Sequence, residues 1–270
     1  MITIHLQGGL GNQLFQIFAA IAYSMEHGEK LVISTSKFDE KERPTYWNSI
    51  LKKLKENVDP SVPKCPRLWE KNFHYDPIPK QPNVMLVGYF QSYRYFDRYY
   101  ENIYKRLNIK FEREMIKSKY LRMTKTISLH FRIGDYIHIQ LHHPILNDVY
   151  YTRSIQEIIN RTGSTDWNII YYCEEKDNLP VKQRMRNIKK KFPEITFYKA
   201  EDDMEDWEQM LLMSCSDHNI IANSAFSWWA AYFNSNPQKI VCYPSTWFGA
   251  SNYDKDTKDI CPPSWVKVSS

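Results

Sequence analysis

Apolar residues fall at three- and four-residue steps from Leu14 through Ile17, Phe18 and Ile21 to Met25. That single stripe predicts a helix from Asn12 to about His27. A short apolar strand, Ile2 to Leu6, and a glycine turn, Gly8-Gly9-Leu10-Gly11, precede it, and Gly28 stands where a helix C-cap glycine belongs. A second strand is expected from Lys30 to Ser34. Strand, turn, helix and strand make one βαβ unit with its glycine turn at the ligand edge.

From about Ser36 to Asn83 the pattern dissolves under prolines at 44, 60, 63, 66, 77, 79 and 82, and one short helix is expected near Trp47 to Glu56. Val84 to Val87 read as a strand ending at Gly88. An aromatic segment, Tyr89 to Phe96, follows, open both to core packing and to stacking on sugar rings, and then a helix from Tyr100 to about Asn108. Beyond Lys119 the alternation is regular. Strands are expected at 126–132, 168–173, 195–198, 218–222 and 239–243, and helices at 150–161, 180–191, 203–214 and 224–234. Such alternation predicts a parallel sheet covered on both faces. The expected organisation is a Rossmann-like domain over 1–120 with a loop-rich insert at 36–83, a second Rossmann-like domain over 121–250, and a tail over 251–270.

Composition narrows the class. With 43% hydrophobic and 25% charged residues in 270, the chain is globular. A net charge of +5 is mild, and the densest basic cluster, Lys182 to Lys191, reads as the solvated face of a helix. No zinc-finger or RNA-recognition signature accompanies it, so no nucleic-acid partner is expected. No apolar run approaches the roughly 18 residues of a membrane span. The five cysteines form no CxxC pair, and Met1 leads directly into a strand. A cytoplasmic protein is the expectation.

Three segments carry candidate chemistry. His130-Phe-Arg-Ile-Gly-Asp-Tyr136 follows the apolar run Thr126 to Leu129 and so sits where a parallel strand delivers its last residues to a ligand crevice. Arg132 there is a fixed cation with a planar fork of donors, suited to a diphosphate. His130 and Asp135 are candidate bases; the plainer readings are a buried supporting histidine, and for Asp135 turn capping or an ion pair with Arg132. Asn223-Ser224-Ala225-Phe226-Ser227-Trp228-Trp229 follows a second strand and opens a helix. Its first free N–H groups and the Ser224 and Ser227 hydroxyls suit an anion; the plainer reading is a serine N-cap with both tryptophans in the core. Gly8 to Gln13 resembles a phosphate cradle but lacks the third glycine of the dinucleotide fingerprint and a Walker lysine. Asn12 either caps the helix or hydrogen-bonds a substrate. Two metal readings are set aside: His138, His142 and His143 lack ligand spacing, and Asp254-Lys255-Asp256 lies in a polar tail.

Taken in order, Gly8-Gly9-Leu10-Gly11-Asn12-Gln13-Leu14-Phe15-Gln16, His130-x-Arg132-x-Gly134-Asp135-Tyr136 and Asn223-Ser224-x-Phe226-Ser227-Trp228-Trp229 resemble glycosyltransferase family 11, the α-1,2-fucosyltransferases. The likeness runs from residue 1 to about 249 and is weakest across 36–83. It implies an α/β fold of GT-B type, two Rossmann-like domains facing a central cleft, with the acceptor on the N-terminal side and the donor on the C-terminal side. It further implies GDP-L-fucose as donor, a glycan acceptor with terminal galactose, inversion at the anomeric carbon, and no metal or other cofactor. On this resemblance Arg132 engages the donor diphosphate, with Asn223, Ser224, Phe226, Ser227, Gly9 and Gly11 in donor binding, while Asn12 stands near the reaction centre. Two departures stand out: Ile133 replaces the second arginine of the related His-x-Arg-Arg core, and Gln209 stands where many relatives carry an aspartate. Ile133 keeps another GDP-deoxysugar, or another acceptor hydroxyl, open. A non-catalytic nucleotide-sugar binding protein is the alternative from outside enzymology.

Overall fold

A computed structural model describes residues 1–34, 44–61 and 64–270, so the parts of the expected insert at 36–43 and 62–63 lie outside the described residues. The chain divides into two compact units, Met1–Glu112 with Lys255–Pro262, and Arg113–Asp254 with Pro263–Ser270.

The first unit contains β1 (Ile2–Ile4), α1 (Leu10–His27), β2 (Arg67–Trp69), β3 (Val84–Val87) and α2 (Tyr100–Arg106). Its strands form a parallel sheet in the order β1-β3-β2, with Ile2 opposite Val84 and Trp69 opposite Val87. Helix α1 buries residues all round from Leu10 to Tyr23, as a helix enclosed by a core does. It ends at Gly28, whose left-handed backbone lets its N–H bond the Ser24 carbonyl. The strand expected at 30–34 shrinks to two isolated bridges, Leu31 to Ile2 and Ile33 to Val58. The helix expected at 47–56 is a 3₁₀ helix over Lys52–Asn57 in which Leu54 alone is buried. One apolar residue among lysines gives no stripe to hold an α-helix on the core.

Residues 112 and 113, where the division falls, lie within α3 (Ile109–Tyr120), a helix the apolar pattern does not announce. Its inward positions are Ile109, Glu112, Arg113 and Ile116. That spacing is helical, but charged residues fill two of the four places and hide it from a reading of hydrophobicity.

The second unit carries β4 (Thr126–His130), α4 (Asp148–Thr162), β5 (Asn168–Tyr172), α5 (Asn178–Lys191), β6 (Thr196–Lys199), α6 (Asp206–Ser214), β7 (His218–Ile220), α7 (Ala225–Phe233), β8 (Val241–Pro244) and β9 (Val266–Val268). All six strands are parallel, in the order β6-β5-β4-β7-β8-β9. Counted along this unit alone the order is 3-2-1-4-5-6, the doubly wound order whose ligand crevice opens between the first and fourth strands. Those strands are β4 and β7, in register at Leu129 and Ile220. Ile127, Leu129, Tyr150, Ile155, Ile169 and Ile220 are buried beneath that edge. The helices start on caps: Asn147 accepts from the Tyr150 N–H at α4, and Glu205 and Glu208 make a capping box at α6. The stretch expected as a tail, 251–270, instead supplies β9, paired with β8 from Cys242 opposite Val266 to Pro244 opposite Val268. Each unit is thus a parallel α/β assembly, two in tandem, as the expected GT-B class requires.

Candidate active site

Arg132 lies two residues beyond β4, at the switch point, with its side chain 23% exposed. Its fork is spread between two carboxylates. Nη2 donates to Asp135 Oδ1 at 2.6 Å and Nη1 to Glu174 Oε1 at 2.7 Å, while the guanidinium lies 5.2 Å over the Tyr136 ring. The ion-pair reading of Asp135 is therefore the geometry found. Glu174 carries no sequence signature, yet it comes from the turn after β5, the strand next to β4. The same turn sends Asp177 Oδ2 to the Gly134 N–H at 2.7 Å, buried, and so pins the loop that carries Arg132.

Beside this loop stands the end of β7. Tyr136 donates its hydroxyl to the Asn223 carbonyl at 3.0 Å, and burial pushes that phenol's pKa up to about 12. Asn223 is buried, its amide donating to the carbonyls of Pro144 (3.0 Å) and Trp247 (3.1 Å). It ties two loops to the strand end. Ser224 caps α7, accepting from the Phe226 N–H at 3.3 Å. Ser227 is fully buried; it accepts from Ala222 N–H at 3.2 Å and donates to the Ser224 carbonyl at 3.4 Å, so its hydroxyl acts within the turn. What this edge offers an anion is Arg132 and the first-turn N–H groups of α7 other than that of Phe226, which the Ser224 cap takes. Nε of Arg132, Nδ1 of His130 and Oδ1 of Asn223 are buried without a hydrogen-bond partner among the described residues.

His130 closes β4, buried against the Phe226 ring at 5.5 Å. Burial, with the Arg132 charge adding to it, holds its pKa down to about 3. It is neutral at any ordinary working pH. In the unfolded chain a histidine titrates near 6.5, so the unfolded state binds more protons between about 6.5 and 3. Stability from this residue is complete above pH 6.5 and is lost as the pH falls. We expect His130→Gln to reduce the drop in urea midpoint between pH 7.5 and 4.5. An undiminished drop would show that other groups set the acid sensitivity.

Ile133, in the place of the second arginine, is buried in the apolar core with Leu129 and Phe131. A guanidinium there would be taken out of water among hydrocarbons, so the substitution is consistent with the local packing. Gln209, in the place of the expected aspartate, donates to the Met204 carbonyl at 3.1 Å.

In the first unit the glycine segment opens α1. Gly8 has φ +77°, and a Cβ there would collide with the Asn12 amide, so the turn requires glycine. Gly9 is the N-cap and receives no side-chain cap, and Gly11 is buried inside the first turn. Asn12 does not cap the helix: its Oδ1 accepts from Gln91 Nε2 at 2.6 Å. Gln13 and Gln16 hold the turn from beneath. Gln13 donates to the Gly8 and Pro44 carbonyls, and Gln16 brackets both backbone groups of Gln7. The Gly-Gly-x-Gly-Asn-Gln-x-x-Gln pattern is thus a turn and its braces. Of the aromatic segment, Phe90 and Phe96 are core and Tyr89 is 39% exposed.

Of the three histidines set aside as ligands, His143 stacks on Tyr136 at 4.8 Å and His142 lies 3.4 Å from the Asn252 amide. Among the described residues no helix is long and apolar enough to cross a membrane.

The chain matches the description of glycosyl transferase family 11 over residues 1–269. It is 27% identical to an α-1,2-colitosyltransferase of Escherichia coli, over 99% of both chains. It is 30% identical to the O-antigen biosynthesis glycosyltransferase WbnK of Escherichia coli, over 68% of this chain and 60% of that protein. The fucosyltransferase NodZ from Bradyrhizobium superposes with a TM-score of 0.49 at 12% identity, covering 85% of this chain and 92% of that one. With a family match that runs from the glycine turn through the arginine loop to β9, this protein is a member of glycosyl transferase family 11.

Proposed function

We propose that this glycosyltransferase moves L-fucose from GDP-L-fucose to the 2-hydroxyl of a terminal galactoside, inverting the anomeric carbon and needing no metal. One observation carries the reading: Arg132 follows β4 at the β4–β7 switch point, and α7 opens just after β7 at the same sheet edge. As the sugar C1–O bond breaks, positive charge grows on the sugar and negative charge on the β-phosphate. Fixed donors aimed at that phosphate favour the transition state over the ground state, because they need no reorganisation as the charge appears. Arg132 supplies a paired-donor cation and α7 supplies backbone N–H groups. The second unit holds the donor; the galactoside meets the first.

A second reading has its own support, the full-length likeness to a colitosyltransferase. Colitose is L-fucose without the 3-hydroxyl, so the two donors differ by one hydrogen-bonding group. A pocket built to bond that hydroxyl rejects the deoxy analogue by about 10⁴–10⁵, whereas an apolar one discriminates only about 10²-fold. GDP release from GDP-L-fucose and GDP-colitose, with and without lactose and in excess EDTA, separates the readings. Lactose-stimulated, EDTA-resistant release from GDP-L-fucose supports the first. Preference for GDP-colitose supports the second. Binding of either donor without release under any acceptor would leave a non-catalytic binder.

A further inference from the structure

We propose that Glu70 receives the proton of the acceptor hydroxyl, in an acceptor-sugar subsite formed at the carboxyl edge of the first unit's sheet by Glu70, the 88–91 turn and Asn12. The inference rests on the transferase reading above and adds to it the residue that activates the acceptor.

Glu70 directly follows β2, and its N–H bonds the Val87 carbonyl at 2.8 Å, which fixes it where the strands of a parallel sheet end. Ligands of such sheets bind there. Both carboxylate oxygens are held: Oε2 accepts from the Tyr89 N–H at 2.7 Å and Oε1 from the Phe90 N–H at 3.0 Å. Each oxygen keeps a further acceptor direction for a sugar hydroxyl. The turn is shaped around this carboxylate. A Cβ at Gly88 would collide with the Glu70 side chain, so glycine alone allows the approach. Phe90, though not glycine and fully buried, is held at φ +52°. Such strained residues cluster where a turn is over-determined by its surroundings, functional sites above all. The next residue, Gln91, is the one that bonds Asn12. One turn therefore carries the contacts to both Glu70 and Asn12.

A loop-holding role alone does not require a half-hidden carboxylate. Burial pushes the Glu70 pKa up to about 7, against the pull of the Phe90 and Tyr89 N–H groups and of the Lys255 charge. Among the described residues the Tyr95 phenol also faces it, itself raised by burial. A carboxyl tuned near neutrality is matched to proton removal at neutral pH. The two bases the sequence suggests are less suited: His130 is a very weak base, and Asp135 is engaged by Arg132. In the step, the acceptor oxygen forms its bond to C1, the C1–O bond to the β-phosphate breaks, GDP leaves with that electron pair, and the hydroxyl proton passes to Glu70.

The test is Glu70→Gln, which keeps a carbonyl oxygen to accept from the turn but cannot take the proton. In a GDP-release assay with lactose across pH 5.5 to 8.5, wild-type kcat should rise with pH through about 7 as Glu70 ionises. The variant should lose that limb and about 10²–10⁴-fold in kcat, with GDP affinity and thermal midpoint close to wild type. A variant keeping the wild-type rate and limb overturns the role of Glu70 while leaving the transferase reading intact. Should Glu70→Gln unfold, the wild-type profile decides: a flat rate across that range overturns the proposal. Absence of turnover by the wild type with both GDP-sugars and lactose overturns this inference and the function it rests on together.

Discussion

Replacing Arg132 with alanine should lower turnover by about 10²–10³-fold, the usual cost of removing one fixed donor from a developing oxyanion. The surroundings add to the loss. Asp135 and Glu174 converge on the guanidinium at 2.6 and 2.7 Å, so its removal leaves two carboxylates where a diphosphate is to bind. GDP affinity should therefore fall with kcat, through repulsion as well as through the lost contact. Arg132→Lys should recover only part, since an ammonium cannot engage two oxygens with a planar fork. The double variant Arg132→Ala with Glu174→Gln should regain some GDP affinity over Arg132→Ala alone, because one of the two repelling charges is gone. Titration calorimetry with GDP and single-turnover kinetics read the two effects separately. Near-normal turnover of Arg132→Ala would remove this residue from the mechanism. Equal GDP affinity in the single and double variants would show that Glu174 does not act through charge.

The centre of the second unit's parallel sheet was legible because β4 and β5 are mostly apolar and mostly buried, as strands covered on both faces are. Thr126 to Leu129 and Asn168 to Tyr172 could be placed from pattern alone. Shorter elements were not. β2 is three residues with two of them exposed, and β9 is a Val-Lys-Val triplet, too brief for alternation to register. In α3 the period exists but is written in Glu112 and Arg113. Each has a partner: Glu112 pairs with Lys52 at 2.8 Å, and Arg113 donates to Ser214.

At the site, the motifs located the strand ends but not the groups that tension them. Glu174 and Asp177 lie in an acidic stretch, Glu174-Glu175-Lys176-Asp177, which reads as ordinary solvated surface. A contact across 42 or 43 residues leaves no local signature. The signal that was available is topological: β5 neighbours β4, so the turn after one must flank the turn after the other. Conversely, Ser227 looked like an anion ligand, but its hydroxyl is used within the turn before α7. Local spacing identifies which residues share a turn. It does not say which way each points.

The tryptophans of that same motif support the largest stability prediction. Trp228→Ala should cost about 3–5 kcal/mol, the range for deleting a buried aromatic side chain. Trp228 is fully buried, stacked on Tyr232 at 4.6 Å and set against Trp229 and Trp265 at 5.1 and 5.5 Å. The void cannot collapse easily, because its walls are themselves large rigid rings. Against a total stability of typically about 5–15 kcal/mol, this loss leaves little margin. Trp228→Phe should keep most of the contact and lose markedly less. A functional consequence follows from position: Trp228 lies in the first turns of α7, its backbone N–H bonding the Ser224 carbonyl at 3.0 Å and its ring packed behind that turn. Loosening the core behind that turn should weaken GDP binding even at temperatures where the alanine variant remains folded. Urea unfolding together with GDP titration tests both parts. A small stability loss would mean the cluster repacks, whereas a large loss with undiminished GDP affinity would show that the α7 N-terminus does not hold the donor.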